Sequence, residues 1–299
     1  MFIDALLDAI LDSIKLLPFL FLTYLLMEII ENRTSDHTKQ MLRQSGKMGP
    51  IFGGLLGAFP QCGFSAAAAN LYAGKVVTMG TLLAVFLSTS DEMIPVFLSE
   101  AVAVGTILKI LGIKVLIGIG AGFLVDFTIN RKAFWLTMKR KGDPRKNNPF
   151  QIKQLCEQEK CHCSSGIWVS TVTHTVQVFL FILLISLVLN LGIEVIGEEG
   201  LKQFILNKPI LGEILAGLIG LIPNCAASVV LTQLYLEGAM NFGALMSGLL
   251  VGAGVGILVL LRVNKDRKQN VKIITTLYGI GVICGILLEL CHVGELLGI

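Results

Sequence analysis

Long apolar blocks alternate with short polar ones along this chain, and the blocks predict its elements. Residues 3–30, 77–99, 109–129, 167–192, 240–262 and 272–292 are each apolar enough and long enough to be read as a membrane-crossing helix, since crossing about 30 Å of hydrocarbon takes roughly 20 helical residues. Two further apolar blocks, 49–73 and 210–236, differ in kind: each is interrupted by a Pro-carboxamide-Cys tripeptide, Pro60-Gln61-Cys62 and Pro223-Asn224-Cys225. No block has the period-2 alternation of a membrane barrel, so helices are the spanning elements. The first block carries Asp4, Asp8 and Asp12 and no small-residue cleavage site, and it reads as a membrane helix rather than a removable leader. The expectation is an all-α polytopic membrane protein.

Sliding the chain along itself by 163 positions exposes a repeat. Gly49, Ile51, Gly54, Leu55, Gly57, Pro60, Cys62, Ser65, Leu71, Tyr72, Gly80 and Leu82 fall on Gly212, Ile214, Gly217, Leu218, Gly220, Pro223, Cys225, Ser228, Leu234, Tyr235, Gly243 and Leu245, twelve identities in 34 positions without a gap. Apolar composition alone matches a few Leu and Ile. It does not match Pro, Cys, Tyr and glycines together, so the chain is read as two copies of one unit.

Charge decides how the copies sit. Segments 31–48, 130–166 and 262–272 hold 18 of the 24 Lys and Arg residues, and the positive-inside rule places all three in the cytoplasm. That is impossible if 49–73 crosses the bilayer once. It follows directly if 49–73 enters and returns on one side, each limb being about 17 Å of helix. Each repeat then has three true spans plus a re-entrant helical hairpin, about ten helices in all, and the odd span number inverts the second repeat relative to the first. The expected organisation is repeat 1 over 1–130 with its hairpin at 49–73, a basic cytoplasmic linker over 131–166, and repeat 2 over 167–299 with its hairpin at 210–236. The N- and C-termini are expected outside. Composition agrees: 54% hydrophobic, 15% charged and mean hydropathy +0.76, against about 25% charged residues in an average soluble domain. This excludes a water-soluble globule, and no nucleic-acid partner is expected.

The candidate chemistry gathers at four places. At the hairpin tips, Gln61 and Asn224 offer donors and acceptors, Cys62 and Cys225 offer soft ligands, and Ser65 and Ser228 add hydroxyls one turn on. Proline at each tip removes an amide donor and frees preceding carbonyls. Within the block 77–99, Ser90, Asp91 and Glu92 bring two carboxylates into apolar sequence, where ionisable groups are expensive and usually functional; they are candidates for ion coupling. The equivalent positions in repeat 2 fall in the glycine-containing run Val251–Val255, which permits an unwound crossing. His174 and His292 are candidates for proton relay, although a bundle-facing or interfacial histidine satisfies the same pattern. In the linker, Cys156, Cys161, His162 and Cys163 put three thiols and an imidazole within eight residues, a set able to hold a metal; a solvated tail with reactive thiols is the competing reading. The remaining cysteines form no disulfide framework.

The runs "GLLGAFPQCGFSAAAANLYAGK", "STSDEMIP", "GLIGLIPNCAASVVLTQLYLEG" and "SGLLVGAGVGILVLLRVNK" and the Cys/His linker resemble the bacterial arsenic efflux proteins, also described as ten-helix heavy-metal exporters. The resemblance covers almost the whole chain and implies efflux across the bacterial inner membrane. Related sequences are also described as manganese transporters. On this resemblance, the chain reads as a secondary transporter of a metalloid or heavy-metal species, most naturally an arsenic compound. Its partners are membrane lipid, that substrate and a coupling proton or ion. No cofactor is expected beyond a metal at the linker cluster, and a homo-oligomer is one of the states open to it. The chain has no Walker A sequence, so an ion gradient is the expected drive. Three alternatives stand beside this: a hard divalent cation such as manganese, held by Asp91, Glu92 and carbonyls; an organic anion; and, from another class, an intramembrane thiol redox protein using Cys62 and Cys225, against which neither cysteine has an adjacent basic partner.

Overall fold

The computed structural model describes residues 48–59, 62–74, 76–90, 93–129 and 210–297, with isolated positions within 17–25 and 171–187. The predicted spans over 3–30 and 167–192 otherwise lie outside the described residues, as does the linker 131–166. In the first half run α1 (Gly49–Gly57), α2 (Cys62–Ala73), α3 (Met79–Ser88), α4 (Met93–Ser99) and α5 (Val104–Ile129). In the second run α6 (Leu211–Gly220), α7 (Cys225–Leu236), α8 (Phe242–Val251), α9 (Val255–Val263), α10 (Arg267–Leu290) and the short α11 (Val293–Leu297). The described residues are helical and contain no strand.

The 163-residue offset carries much further than the twelve identities. Adding it to the bounds of α1–α5 reproduces those of α6–α10 to within two residues. The caps follow the same offset: Thr78 accepts from the Thr81 amide at the start of α3, and Asn241 accepts from the Ala244 amide at the start of α8. Ser, Thr, Asn and Asp are the residues that satisfy orphan amides at helix starts. One turn inside, Asp126 accepts from the Gly80 amide at 2.9 Å and Glu289 from the Gly243 amide at 2.8 Å. The two carboxylates are themselves 163 residues apart.

Glycine sets how closely the helices approach. A Cβ built on Gly80 would lie 2.1 Å from the Gly122 carbonyl oxygen, and one on Gly243 2.7 Å from that of Gly285. A Cβ on Gly57 would stand 2.5 Å from the Val85 carbonyl, and one on Gly220 2.3 Å from the Gly248 carbonyl. Small residues that let backbones meet are the usual device where lipid supplies no hydrophobic drive between helices.

Inside and outside are clearly divided. Met79–Ser99 and Phe242–Val263 are apolar and long enough to cross a membrane, and 75% and 83% of their most apolar windows are buried in protein. Val104–Thr128 and Arg267–Leu290 are also of crossing length, but only 28% of each window is buried. The outer pair shows Leu108, Leu116, Leu124 and Phe127, and Ile283, Leu287 and Leu290, to the surroundings. Apolar faces of this extent are unusual on soluble monomers and suit acyl chains. The protein is a multi-pass, all-α membrane bundle with four membrane-length helices among the described residues.

Two of the predicted span boundaries shift. The helix expected over 109–129 begins at Val104, because Ala103 and Thr106 already close its first turn. The helix expected from residue 272 begins at Arg267, because the Asp266 side chain caps the Lys268 and Gln269 amides. Charged residues can start a membrane helix outside the hydrocarbon, where hydropathy alone misses them.

Gly80→Ala is expected to destabilise the bundle by about 1–3 kcal/mol through overpacking. Gly120→Ala, whose Cβ meets nothing within 4 Å, should leave stability unchanged or slightly raised. Thermal unfolding of the purified protein in detergent compares them, and equal midpoints would refute the close-approach account.

Candidate functional site

Both buried spans are broken, at equivalent places. In the first half, α3 ends at Ser88, Thr89 turns extended (φ −56, ψ 129), and helix resumes at Met93. The Ser88 and Thr89 hydroxyls fold back onto the Ala84 and Val85 carbonyls at 2.6 and 2.7 Å, so part of the unwound end is satisfied locally. In the second half, α8 ends at Val251 and α9 starts at Val255. Gly254 there has φ 51 and ψ −139, a conformation glycine adopts without a Cβ penalty. Broken helices inside a membrane protein are tolerated only where protein or a polar cavity satisfies the freed backbone.

Each break is met by the short helix pair of its own half and of the other. Ser90 donates to the Ala58 carbonyl at the end of α1, 3.1 Å away. Across the halves, α2 packs on α9 and α7 on α4, which are equivalent contacts under the offset. The turn between α6 and α7 is tight: the Asn224 amide donates to the Ile222 carbonyl at 2.7 Å, and Asn224 is buried.

A small cavity lies where these pieces converge. The first half contributes Thr89, Ser90, Met93 and Lys114 to its wall; the second contributes Asn224 and Ser228 and, from the break, Gly252 and Gly254. Hydroxyls, a carboxamide and an ammonium thus share one apolar-backed space.

Lys114 is the least expected member. It is fully buried, on the inward stripe of α5 that also holds Ile107, Ile110, Gly118, Gly122 and Val125. Its ammonium donates to the Thr89 carbonyl and, at 2.9 Å, to the Leu249 carbonyl. Burying an ammonium costs several kcal/mol unless hydrogen bonds and charge repay it, and these two carbonyls belong to opposite halves. The position equivalent to Lys114 is Leu277, also fully buried.

Of the residues singled out in the sequence, the cavity brings together Ser90, Asn224 and Ser228. Ser65 is buried elsewhere: a Cβ on Gly256, at the start of α9, would lie 2.8 Å from the Ser65 Cβ. Its equivalent Ser228 shares the cavity wall with Met93, the position equivalent to Gly256. Cys62 and Cys225 are the first residues of α2 and α7, with their side chains outside the described set. Gln61, Asp91, Glu92, His174, Cys156, Cys161, His162 and Cys163 lie outside the described residues. His292 sits at the exposed end of α10, 3.7 Å from Glu295, away from the broken helices. Sequence reasoning missed two buried charged residues. Lys114 had a signal, a lysine that lies well inside the helix once the helix is started at Val104. Glu213 accepts from the Asn241 carboxamide at 3.2 Å while its other oxygen has no partner.

Residues 1–196 match the model of a family described as "Putative, 10TM heavy-metal exporter", 196 of the 299 residues of the chain. No curated protein matches the chain, and no solved structure does.

Ser90→Ala removes the bond that fixes the first break to α1, worth about 0.5–1.5 kcal/mol. Hydrogen exchange in residues 57–64 is expected to quicken severalfold in this variant and to stay near wild type in Ser90→Thr; unchanged exchange in Ser90→Ala would refute the linkage.

Proposed function

The chain belongs to this heavy-metal exporter family, and from that premise we propose that it is a secondary active transporter exporting a metalloid or heavy-metal species, foremost an arsenic compound, across the bacterial inner membrane. The observation that carries the reading is the cavity itself: Ser90 from one broken helix and Asn224 and Ser228 from the other half face one buried space. Such a space, between discontinuous helices of two related halves, is the kind of place where transporters hold their substrates.

In this reading the halves are inverted repeats, α1–α2 and α6–α7 are re-entrant hairpins, and the basic segments are cytoplasmic. The charge distribution and the shared helix order support it. Gln61, Cys62, Asn224 and Cys225 form the recognition set, with Ser228 beside them and Ser65 in a supporting position. Thiols suit a thiophilic metalloid, while carboxamides and hydroxyls suit its hydroxylated forms. Asp91 and Glu92 carry the coupling proton or ion with Ser90, and His174 relays it. Cys156, Cys161, His162 and Cys163 capture metal at the cytoplasmic linker.

Lys114 weighs between the alternatives. A divalent ion about 6 Å from a protonated ammonium meets repulsion on the order of 5 kcal/mol at an effective dielectric near 20. A bare hard cation such as manganese is therefore disfavoured beside it, and a neutral hydroxylated or anionic species is favoured.

Everted vesicles given arsenite should accumulate it with wild-type protein. The Cys62→Ser/Cys225→Ser double variant should lose at least about tenfold of that uptake, equivalent to about 1.4 kcal/mol of discrimination. Equal uptake by both would remove thiol recognition, and manganese uptake abolished by Asp91→Asn alone would favour the hard-cation reading. A reporter fused after Arg145 should be active only as a cytoplasmic fusion; periplasmic activity would refute the assigned orientation.

A further inference from the structure

The second half carries a buried acid where the first half has a proline. Glu213 lies in the first turn of α6 and is 1% exposed. Under the 163-residue offset its equivalent is Pro50, at the start of α1. One carboxyl oxygen, Oε1, accepts from the Asn241 carboxamide at 3.2 Å, while Oε2 is buried and has no partner. The helix around it is firmly held. The Ser247 hydroxyl donates to the Glu213 carbonyl at 2.6 Å, and the Tyr278 hydroxyl donates to the Ile214 carbonyl at 3.1 Å.

The start of α8 shows what the extra acid changes. At the start of α3, Asp126 has both oxygens in use, Oδ1 by the Gly80 amide and Oδ2 by the Thr78 hydroxyl at 2.6 Å. In the second half Asn241, the equivalent of Thr78, turns instead to Glu213. Glu289, the equivalent of Asp126, keeps the Gly243 amide. Two carboxyls thus meet one helix start. A helix N-terminus offers about half a positive charge, enough for one carboxylate and not for two, and like charges at one site disfavour joint ionisation. Glu289 is half-buried and holds the backbone amide, whereas Glu213 is fully buried and holds a neutral carboxamide. An isolated carboxylate in such surroundings costs far more than the neutral acid.

The other ionisable groups on the elements packed against α6 do not answer it. Among the described residues α6 has no second ionisable side chain and α8 has none, while α7 includes Cys225 and Tyr235 in its sequence. From α10 come Tyr278, Cys284 and Glu289. Its basic residues Arg267, Lys268 and Lys272 stand at the other end, Lys272 being roughly three and a half turns before Gly285, which meets Gly243. His292 and Glu295, beyond α10, are exposed and 3.7 Å from each other. None of these donates to Oε2.

We propose that the carboxyl of Glu213 is a proton-binding site of the second half, and that the unpartnered Oε2 is where the proton attaches. The O–H bond forms with a proton taken from water and breaks by returning it to water, leaving the carboxylate. The Asn241 carboxamide donates to Oε1 in both forms. Binding a proton needs no transported substrate. Service as a coupling site beside Asp91 and Glu92 rests on the exporter reading above.

Infrared spectroscopy of the full-length protein in lipid nanodiscs tests the site without any substrate, so its failure is separate from failure of the arsenite experiment. An acid carbonyl held by one hydrogen bond absorbs apart from solvated acids. As pH is raised, wild type should lose one such band and gain a carboxylate band. The acid band should be absent from Glu213→Gln at every pH and present in Glu289→Gln and His292→Ala, with circular dichroism confirming that each variant folds. A second measurement needs no variant. Dicyclohexylcarbodiimide, an apolar reagent that adds a protonated carboxyl across its C=N bond, should label Glu213 in wild type and label it less as pH rises, read as a mass shift on its peptide. An acid band that persists in folded Glu213→Gln would place the proton on another group and overturn the proposal. So would the absence of label on Glu213 at every pH, which marks a carboxylate that takes no proton.

Discussion

Unwound backbone inside a low-dielectric bundle is the constraint on which this structure depends. Each break exposes carbonyls and amides that water would satisfy on a soluble protein and that hydrocarbon cannot. The molecule answers with side chains folded back on the helix (Ser88 and Thr89), a glycine in a left-handed conformation (Gly254), and an ammonium on two helix ends (Lys114). Each answer needs α3 and α8 held close to their neighbours. The glycine contacts of Gly80 with Gly122 and of Gly243 with Gly285 provide that closeness, and the Asp126 and Glu289 carboxylates fix the register beside them.

This division of labour explains why the outer and inner spans look alike in hydropathy and different in burial. α5 and α10 use a narrow inward stripe for packing and leave the rest to lipid, whereas α3 and α8 are buried on every side. Three charged residues in the described spans follow that division. Asp126 and Glu289 meet amides at the starts of neighbouring helices, and Lys114 meets carbonyls. In each of these cases the backbone supplies a partner.

Much of the architecture was legible in the sequence because it repeats. Gly80 and Gly243, like Pro60 and Pro223, are rare enough at a fixed offset to disclose the two halves, and the glycines after Val251 announced a break that the structure places there. The carboxylates at 126 and 289 went unread because they match as Asp and Glu rather than as identities, although they perform the same bond. Distance along the chain groups Ser65 with the tip residues, whereas in the structure it packs against Gly256. Lys114 was the costliest omission. Hydropathy started its helix five residues late and so set it near a membrane interface, whereas a helix from Val104 carries it deep into the span.

The substitution pattern at positions 114 and 277 has an energetic meaning of its own. Two halves that matched at every position would make arrangements that exchange their parts equal in energy. Lysine on one side and leucine on the other, both fully buried, is a difference in charge at one such pair of positions and makes the exchanged arrangements unequal.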